Sequence, residues 1–167
     1  MAFQEGESLP DYSVYEFDTD KGPVERRLPD LAYKKKVVAI GVPGAFTPVC
    51  SEGHLPGYLM HHQDFMDMGV DEIWCIAVND AFVLNAWAKD LHVDGKVRML
   101  GDGSAELVRA MDITLDLTAK GMGVRSDRFA MVIDNGQITH FLKEEPGHFM
   151  HTDAASVLEI LKEEVDI

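Results

Sequence analysis

Apolar and polar positions along this chain fall into two alternating periods. Runs of strand length occur at KKKVVAIGV (34–42), EIWCIAV (72–78) and KVRMLGD (96–102), and each predicts a buried strand. Between them, AFVLNAWAKDL (81–91) sets apolar residues at 83, 84, 87 and 91. That is the spacing of one helical face, with Asp80 as its cap. SAELVRAM (104–111) reads as a short helix, and another helix is expected from the stretch after the first strand through residue 68. RFAMVID (128–134) and QITHFL (137–142) flank Asn135-Gly136, a strong hairpin signal. ASVLEILKEEV (155–165) gathers Val157, Leu158, Leu161 and Val165 on one face. Strand–helix alternation that ends in a hairpin and a helix predicts an α/β chain, a central mixed β-sheet flanked by helices. The pattern alone leaves several such arrangements open.

No repeat, linker or low-complexity tract divides the 167 residues, so a single domain spanning 1–167 is expected, long enough for its own core. Fifteen Lys and Arg against 29 Asp and Glu give a net charge of −14. Repulsion from phosphates then argues against nucleic acid and against anionic membranes as partners. The first residues, MAFQEGESLPDYSVYEF, carry neither a basic leader nor an apolar run of signal-peptide length, and a cytoplasmic protein is expected. In that compartment two cysteines read as free or redox-active thiols rather than a structural bridge.

One of the two lies in GVPGAFTPVCSEGHLPGY (41–58). Thr47-Pro48-Val49-Cys50 has the grammar of a helix start, threonine capping and proline at the first helical position. Cys50 then falls within the first turn, where unpaired N–H groups and the helix dipole favour thiolate over thiol. Such settings bring a cysteine from about 8.5 down to roughly 3.5–7.5. The Thr47 hydroxyl is suited both to capping and to donating toward a sulfur or a substrate. The motif alone also admits a plainer account, in which Thr47 only caps and Cys50 is a small buried residue.

Pro43-x-x-x-Thr47-x-x-Cys50 resembles the active-site loop of the peroxiredoxins, thiol peroxidases on a thioredoxin-like fold, and its longer wording is similar to the type II (fifth) subfamily. VDEIWCIAVNDAFVLNAWAKD (70–90), GDGSAELVRAM (101–111) and GMGVRSDRFAMVIDNGQI (121–138) resemble that subfamily in the same order, over nearly the whole chain. The resemblance implies Cys50 as the peroxidatic nucleophile, attacking a hydroperoxide and becoming a sulfenic acid. It implies Thr47 as the hydroxyl orienting peroxide and sulfur, Pro43 as a shield from water, and Arg128 as the cation facing the thiolate. A fixed guanidinium stabilises the charge that grows on the departing oxygen. Gly44, Phe46, Val49, His54 and Arg125 are further candidates for the substrate pocket. His54, four residues after Cys50, shares its helical face, and packing or hydrogen bonding is its expected task.

Cys75 is centred in an apolar strand and reads as a core residue, although relatives with a cysteine in the matching strand make it a candidate resolving thiol. Other type II members place a resolving cysteine before the last helix. Here that neighbourhood is PGHFMHTDAAS (146–156), with His151 in its place. The expected reductant is therefore an external thiol, glutathione or glutaredoxin, with thioredoxin second. Helix-to-loop rearrangement is how peroxiredoxins free their oxidised sulfur, and Pro56-Gly57 is expected to distort the helix and ease that opening. His61, His62 and Asp64 lack the same-face spacing of a metal helix, and with no cofactor motif in view, neither metal nor cofactor is expected. The family implies a homodimer, with Phe46 and Phe82 as interface candidates. The resulting expectation is an antioxidant enzyme of cell redox homeostasis. A peroxide-sensing switch or partner-binding protein without efficient turnover is the alternative.

Overall fold

The computed structural model describes residues 5–165, excluding the side chain of Val165, so the predicted apolar role of that residue lies outside the described part. The chain opens with a hairpin that the apolar pattern does not announce, β1 (Ser13–Asp18) and β2 (Gly22–Arg27), and a short helix α1 (Leu28–Ala32). The predicted strands follow as β3 (Lys36–Val42), β4 (Glu72–Ala77) and β5 (Arg98–Gly101). Between β3 and β4 the expected continuous helix is broken into a π-turn (Cys50–His54), α2 (Leu55–Met60) and α3 (His62–Asp67). The ten-residue α4 (Ala81–Asp90) starts where predicted, with the Asp80 carboxylate accepting from the Val83 N–H at 2.9 Å. A short α5 (Glu106–Ala110) leads to a second unannounced ribbon, β6 (Thr114–Leu117) and β7 (Gly123–Ser126). β8 (Phe129–Asp134), β9 (Gln137–Lys143) and α6 (Ala154–Val165) complete the chain.

Seven strands form one sheet in the order β2-β1-β5-β4-β3-β8-β9. β3, β4 and β5 run parallel, while β8, β9 and the β1–β2 hairpin are antiparallel additions. Asn135 and Gly136 both take positive φ, 48° and 84°, the geometry that two-residue hairpins demand. The Asn135 side chain also accepts the Lys34 N–H at 2.7 Å.

Strand alternation sorts the apolar residues into two cores. Val38, Ile40, Val42, Ile73 and Cys75 face one layer with Leu55, Tyr58, Phe65, Trp87 and Leu161 from the helices. Val37, Ala39, Trp74, Ile76 and Phe129 face the other, covered by Leu28, Leu31, Leu107 and Val108. Gly41 leaves room for the Phe129 ring on the neighbouring strand, since a Cβ there would stand 1.9 Å from a ring carbon. The register therefore puts Cys75 on the same side of the sheet as Cys50.

Candidate active site

The loop after β3 is a short climb from strand to helix. The Asn79 side chain accepts the Ala45 N–H at 2.9 Å, which ties the loop to the end of the neighbouring β4 segment. Phe46 takes a φ of 66°, unusual for a side chain of its size, and this turns its ring outward, 53% exposed. Helical backbone begins at Pro48, and the Ser51 N–H reaches the Thr47 carbonyl at 2.9 Å. Thr47 thus stands at the predicted cap position, but its hydroxyl does not cap. It donates to the Gly44 carbonyl at 2.7 Å, because the loop folds that carbonyl back within reach before a helical N–H can compete.

Cys50 opens the π-turn, whose wide ring is closed by the Leu55 N–H donating to the Cys50 carbonyl. Such turns concentrate at functional sites. Irregularity flanks Pro56-Gly57 on both sides, the π-turn before it and beyond it the break at His61 (φ −96°, ψ 13°) that separates α2 from α3. Pro56 occupies the first turn of α2, where a missing N–H is tolerated. Next to the nucleophile candidate, the Ser51 hydroxyl accepts from the Trp87 indole N–H at 2.9 Å.

Cys50 is fully buried, yet it is not surrounded by hydrocarbon alone. The Arg128 guanidinium donates from one terminal nitrogen to Cys50 Sγ at 3.2 Å and from the other to His54 Nδ1 at 2.8 Å. An arginine always donates, so Nδ1 is an acceptor and the imidazole carries its proton on Nε2. That N–H donates to the Thr152 carbonyl at 3.0 Å, which also receives the Tyr58 hydroxyl at 2.7 Å. Burial, and then the Arg128 charge, hold His54 down to about 3. The ring is therefore a neutral strut. Phe149 closes the arrangement, packing on His54 at 5.1 Å between ring centroids and lying 5.7 Å from the guanidinium carbon.

An open cleft of about 540 Å³ leads to this cluster, lined by Pro43, Thr47, Val49 and Arg128 on one side and by Leu115, Leu117 and Met122 of the β6–β7 ribbon on the other. Of the five pocket candidates, Val49 is in this lining and Gly44, Phe46, His54 and Arg125 stand outside it. Phe46 faces outward, and His54 is buried behind Cys50 toward Thr152. Arg125 braces the ribbon by donating to the Met122 carbonyl at 2.8 Å and lies against Gly44, where a Cβ would come 2.9 Å from the guanidinium. Cys75 is fully buried in the sheet, and burial pushes its thiol far up, the proximity of Cys50 adding to the effect. His61 pairs with Asp64 at 2.9 Å on the helix surface, apart from the cleft. Phe82 is 60% exposed and meets Phe17 edge-on at 5.7 Å.

Sequence reasoning missed Tyr58, Glu144, Phe149 and Thr152. Tyr58 falls four residues after His54 and could have been found from that spacing. The other three lie in an irregular segment with no periodicity to mark them.

A family model described as Redoxin matches residues 4–158. Peroxiredoxin-2C of Oryza sativa subsp. japonica is 41% identical over 156 residues, covering 93% of this chain and 96% of that protein. Peroxiredoxin-2B of Arabidopsis thaliana is 40% identical over the same shares. Among solved structures, reduced Prx3 from Vibrio vulnificus in complex with H2O2 superposes with a TM-score of 0.91 at 38% identity, covering 95% of this chain and 99% of that one. The sheet and its flanking helices have the thioredoxin-like fold of those structures.

Proposed function

The chain belongs to the redoxin family as a peroxiredoxin, and we propose that it reduces hydrogen peroxide and small organic hydroperoxides with electrons from glutathione or a glutaredoxin. We place it within type II, as the wording of the loop suggests. The observation that carries the chemistry is the guanidinium of Arg128 held 3.2 Å from Cys50 Sγ. The thiolate attacks one peroxide oxygen, the O–O bond breaks, and the departing oxygen leaves as water or alcohol after taking a proton. Arg128 stabilises the charge on both sulfur and leaving oxygen without ever losing its own proton. The Thr47 hydroxyl spends its proton on Gly44, so its oxygen is free to accept the peroxide O–H. Pro43 and Val49 at the cleft wall limit the access of water.

The sulfenic acid on Cys50 then condenses with an external thiol, releasing water and leaving a mixed disulfide. A second thiol takes up the disulfide and returns Cys50 to thiol. The raised Cys75 thiol is a poor nucleophile where it stands, which supports an external donor over an internal one. Thioredoxin ranks second as donor. A homodimer is the proposed assembly, with the exposed rings of Phe46 and Phe82 in its interface. The proposal falls on that point if both stay remote from every subunit contact.

The test is a turnover assay with glutathione–glutaredoxin and with thioredoxin, on wild type, Cys50→Ser and Cys75→Ser. Cys50→Ser should consume no peroxide, and Cys75→Ser should turn over with glutathione–glutaredoxin as the wild type does. A Cys75→Ser protein that consumes one equivalent of peroxide and then stops would overturn the external-thiol route.

A further inference from the structure

One buried carboxylate near the sulfur has no part in that chemistry. Glu144 follows β9 and is 2% exposed. Its Oε2 accepts from four donors, the backbone N–H groups of Met150, His151 and Thr152 at 2.9, 2.7 and 2.9 Å and the Thr152 hydroxyl at 2.9 Å. Its Oε1 is buried without a hydrogen-bond partner among the described residues. Four donors crowd one oxygen, which suits an ionised carboxylate better than a neutral acceptor with two lone pairs. Burial opposes that charge, yet the N–H groups of His151 and Thr152 hold Glu144 below the ordinary carboxylate value.

What the gathered segment delivers is one carbonyl, that of Thr152, aimed at His54 Nε2 and the Tyr58 hydroxyl. With the Nε2 proton committed there, His54 can offer Arg128 only a lone pair on Nδ1. We propose that Glu144 is a positioning residue for the peroxide reaction: through the Thr152 carbonyl it fixes the tautomer and orientation of His54, and His54 seats the Arg128 guanidinium against the sulfur. The inference rests on the thiol-peroxidase reading of the same site. Glu144 also donates its own N–H to the Arg128 carbonyl at 2.9 Å, so it steadies the backbone of the arginine as well as its head.

The indirect route has a physical reason. A carboxylate bonded straight to Arg128 would anchor it equally well, but would cancel the positive charge that the leaving oxygen needs. A neutral imidazole anchors without cancelling. Glu144 spends its negative charge on backbone N–H groups instead, with Thr152, His54 and Arg128 between it and the sulfur.

Two measurements on Glu144→Ala and Glu144→Gln test this. Nitrogen–proton correlation spectra of the histidine rings report the His54 tautomer in the reduced protein. Stopped-flow fluorescence of Trp87, bonded to the residue beside Cys50, reports the rate of oxidation by hydrogen peroxide. The alanine variant should lose the single Nε2–H tautomer and slow by about 10- to 100-fold, the scale of a misplaced catalytic group. The glutamine variant, which keeps one acceptor oxygen at the same reach, should recover part of both. An intact Nε2–H tautomer or an unchanged rate in the alanine variant would overturn the proposal. If that variant does not fold, a glutamine variant in which the tautomer and the oxidation rate do not change together overturns it equally. A wild-type protein that is not oxidised at Cys50 would instead sink the peroxidase reading, while the tautomer spectra still decide whether Glu144 orients His54.

Discussion

Lowering the pH should destabilise this protein through His54 before its carboxylates are reached. The ring is fully buried, bonded on both nitrogens, and faces the Arg128 guanidinium. Burial first, and Arg128 second, lower its value from 6.5 to about 3. Because the folded value lies below the unfolded one, the stability it contributes is complete above pH 6.5 and is lost as pH falls toward 3. Each unit below the unfolded value costs about 1.4 kcal/mol, so at pH 5 this single group removes about 2 kcal/mol. Urea denaturation at pH 8 and pH 5, on wild type and His54→Gln, measures the effect. The other histidines and the carboxylates are common to both proteins and drop out of the comparison. Wild type should lose about 2 kcal/mol more than the variant between the two pH values. Equal losses, or a larger loss in the variant, would show that the imidazole is not held neutral and would break the tautomer argument built on it.

Removing the Thr47 hydroxyl while keeping its shape, Thr47→Val, should slow oxidation by hydrogen peroxide by at least about tenfold, and Thr47→Ser should restore most of the rate. A valine variant that reacts like wild type would confine the hydroxyl to its bond with Gly44. Amide hydrogen exchange across residues 47–58 should accelerate when Cys50 is oxidised to the sulfenic acid. Exchange unchanged by oxidation would mean that the turn stays closed and that an external thiol cannot reach the sulfur this way.

Much of the frame was legible because periodicity reports burial. The three apolar runs became the parallel centre of the sheet, and Asp80 and Asn135-Gly136 did what short-range chemistry requires of them. The β1–β2 hairpin was not legible. GPVERR at the sheet edge is half-exposed and held to β1 by an ion pair from Arg26 to Glu16 at 3.2 Å, so it carries no apolar signal. The β6–β7 ribbon escaped because its strands are only four residues each and half-exposed, too short for the Leu115/Leu117 alternation to stand out, and with it went the far wall of the cleft. At the site, Cys50 and Arg128 came from motif and resemblance, and the structure brings them together. Thr47 took its predicted place with a different bond, since a cap position does not dictate which acceptor lies nearest. The Glu144 carboxylate gathers backbone N–H groups and Thr152 acts through its carbonyl, groups every residue has, so the segment between them carried no side-chain signal.

Burial and reactivity make opposite demands on Cys50, and the π-turn is where they meet. A hydroperoxide can enter the cleft, but a thiol on a tripeptide or a protein cannot approach a sulfur with no exposed surface. Regeneration therefore needs the first turns of the helix to open. What resists is modest: the Thr47–Ser51 backbone bond, the wide ring between Cys50 and Leu55, the Trp87–Ser51 bond and the contact with Arg128. At about 1 kcal/mol net apiece, opening lies within the range of local fluctuations rather than global unfolding. Pro56 supplies no N–H to knit the π-turn to the helix beyond it. Oxidation also adds an oxygen where the sulfur is already packed against the guanidinium, weakening the contact that closes the site. The groups that hold the thiolate in place are thus those its oxidised form disturbs first, and a single segment can serve the peroxide when closed and the reductant when open.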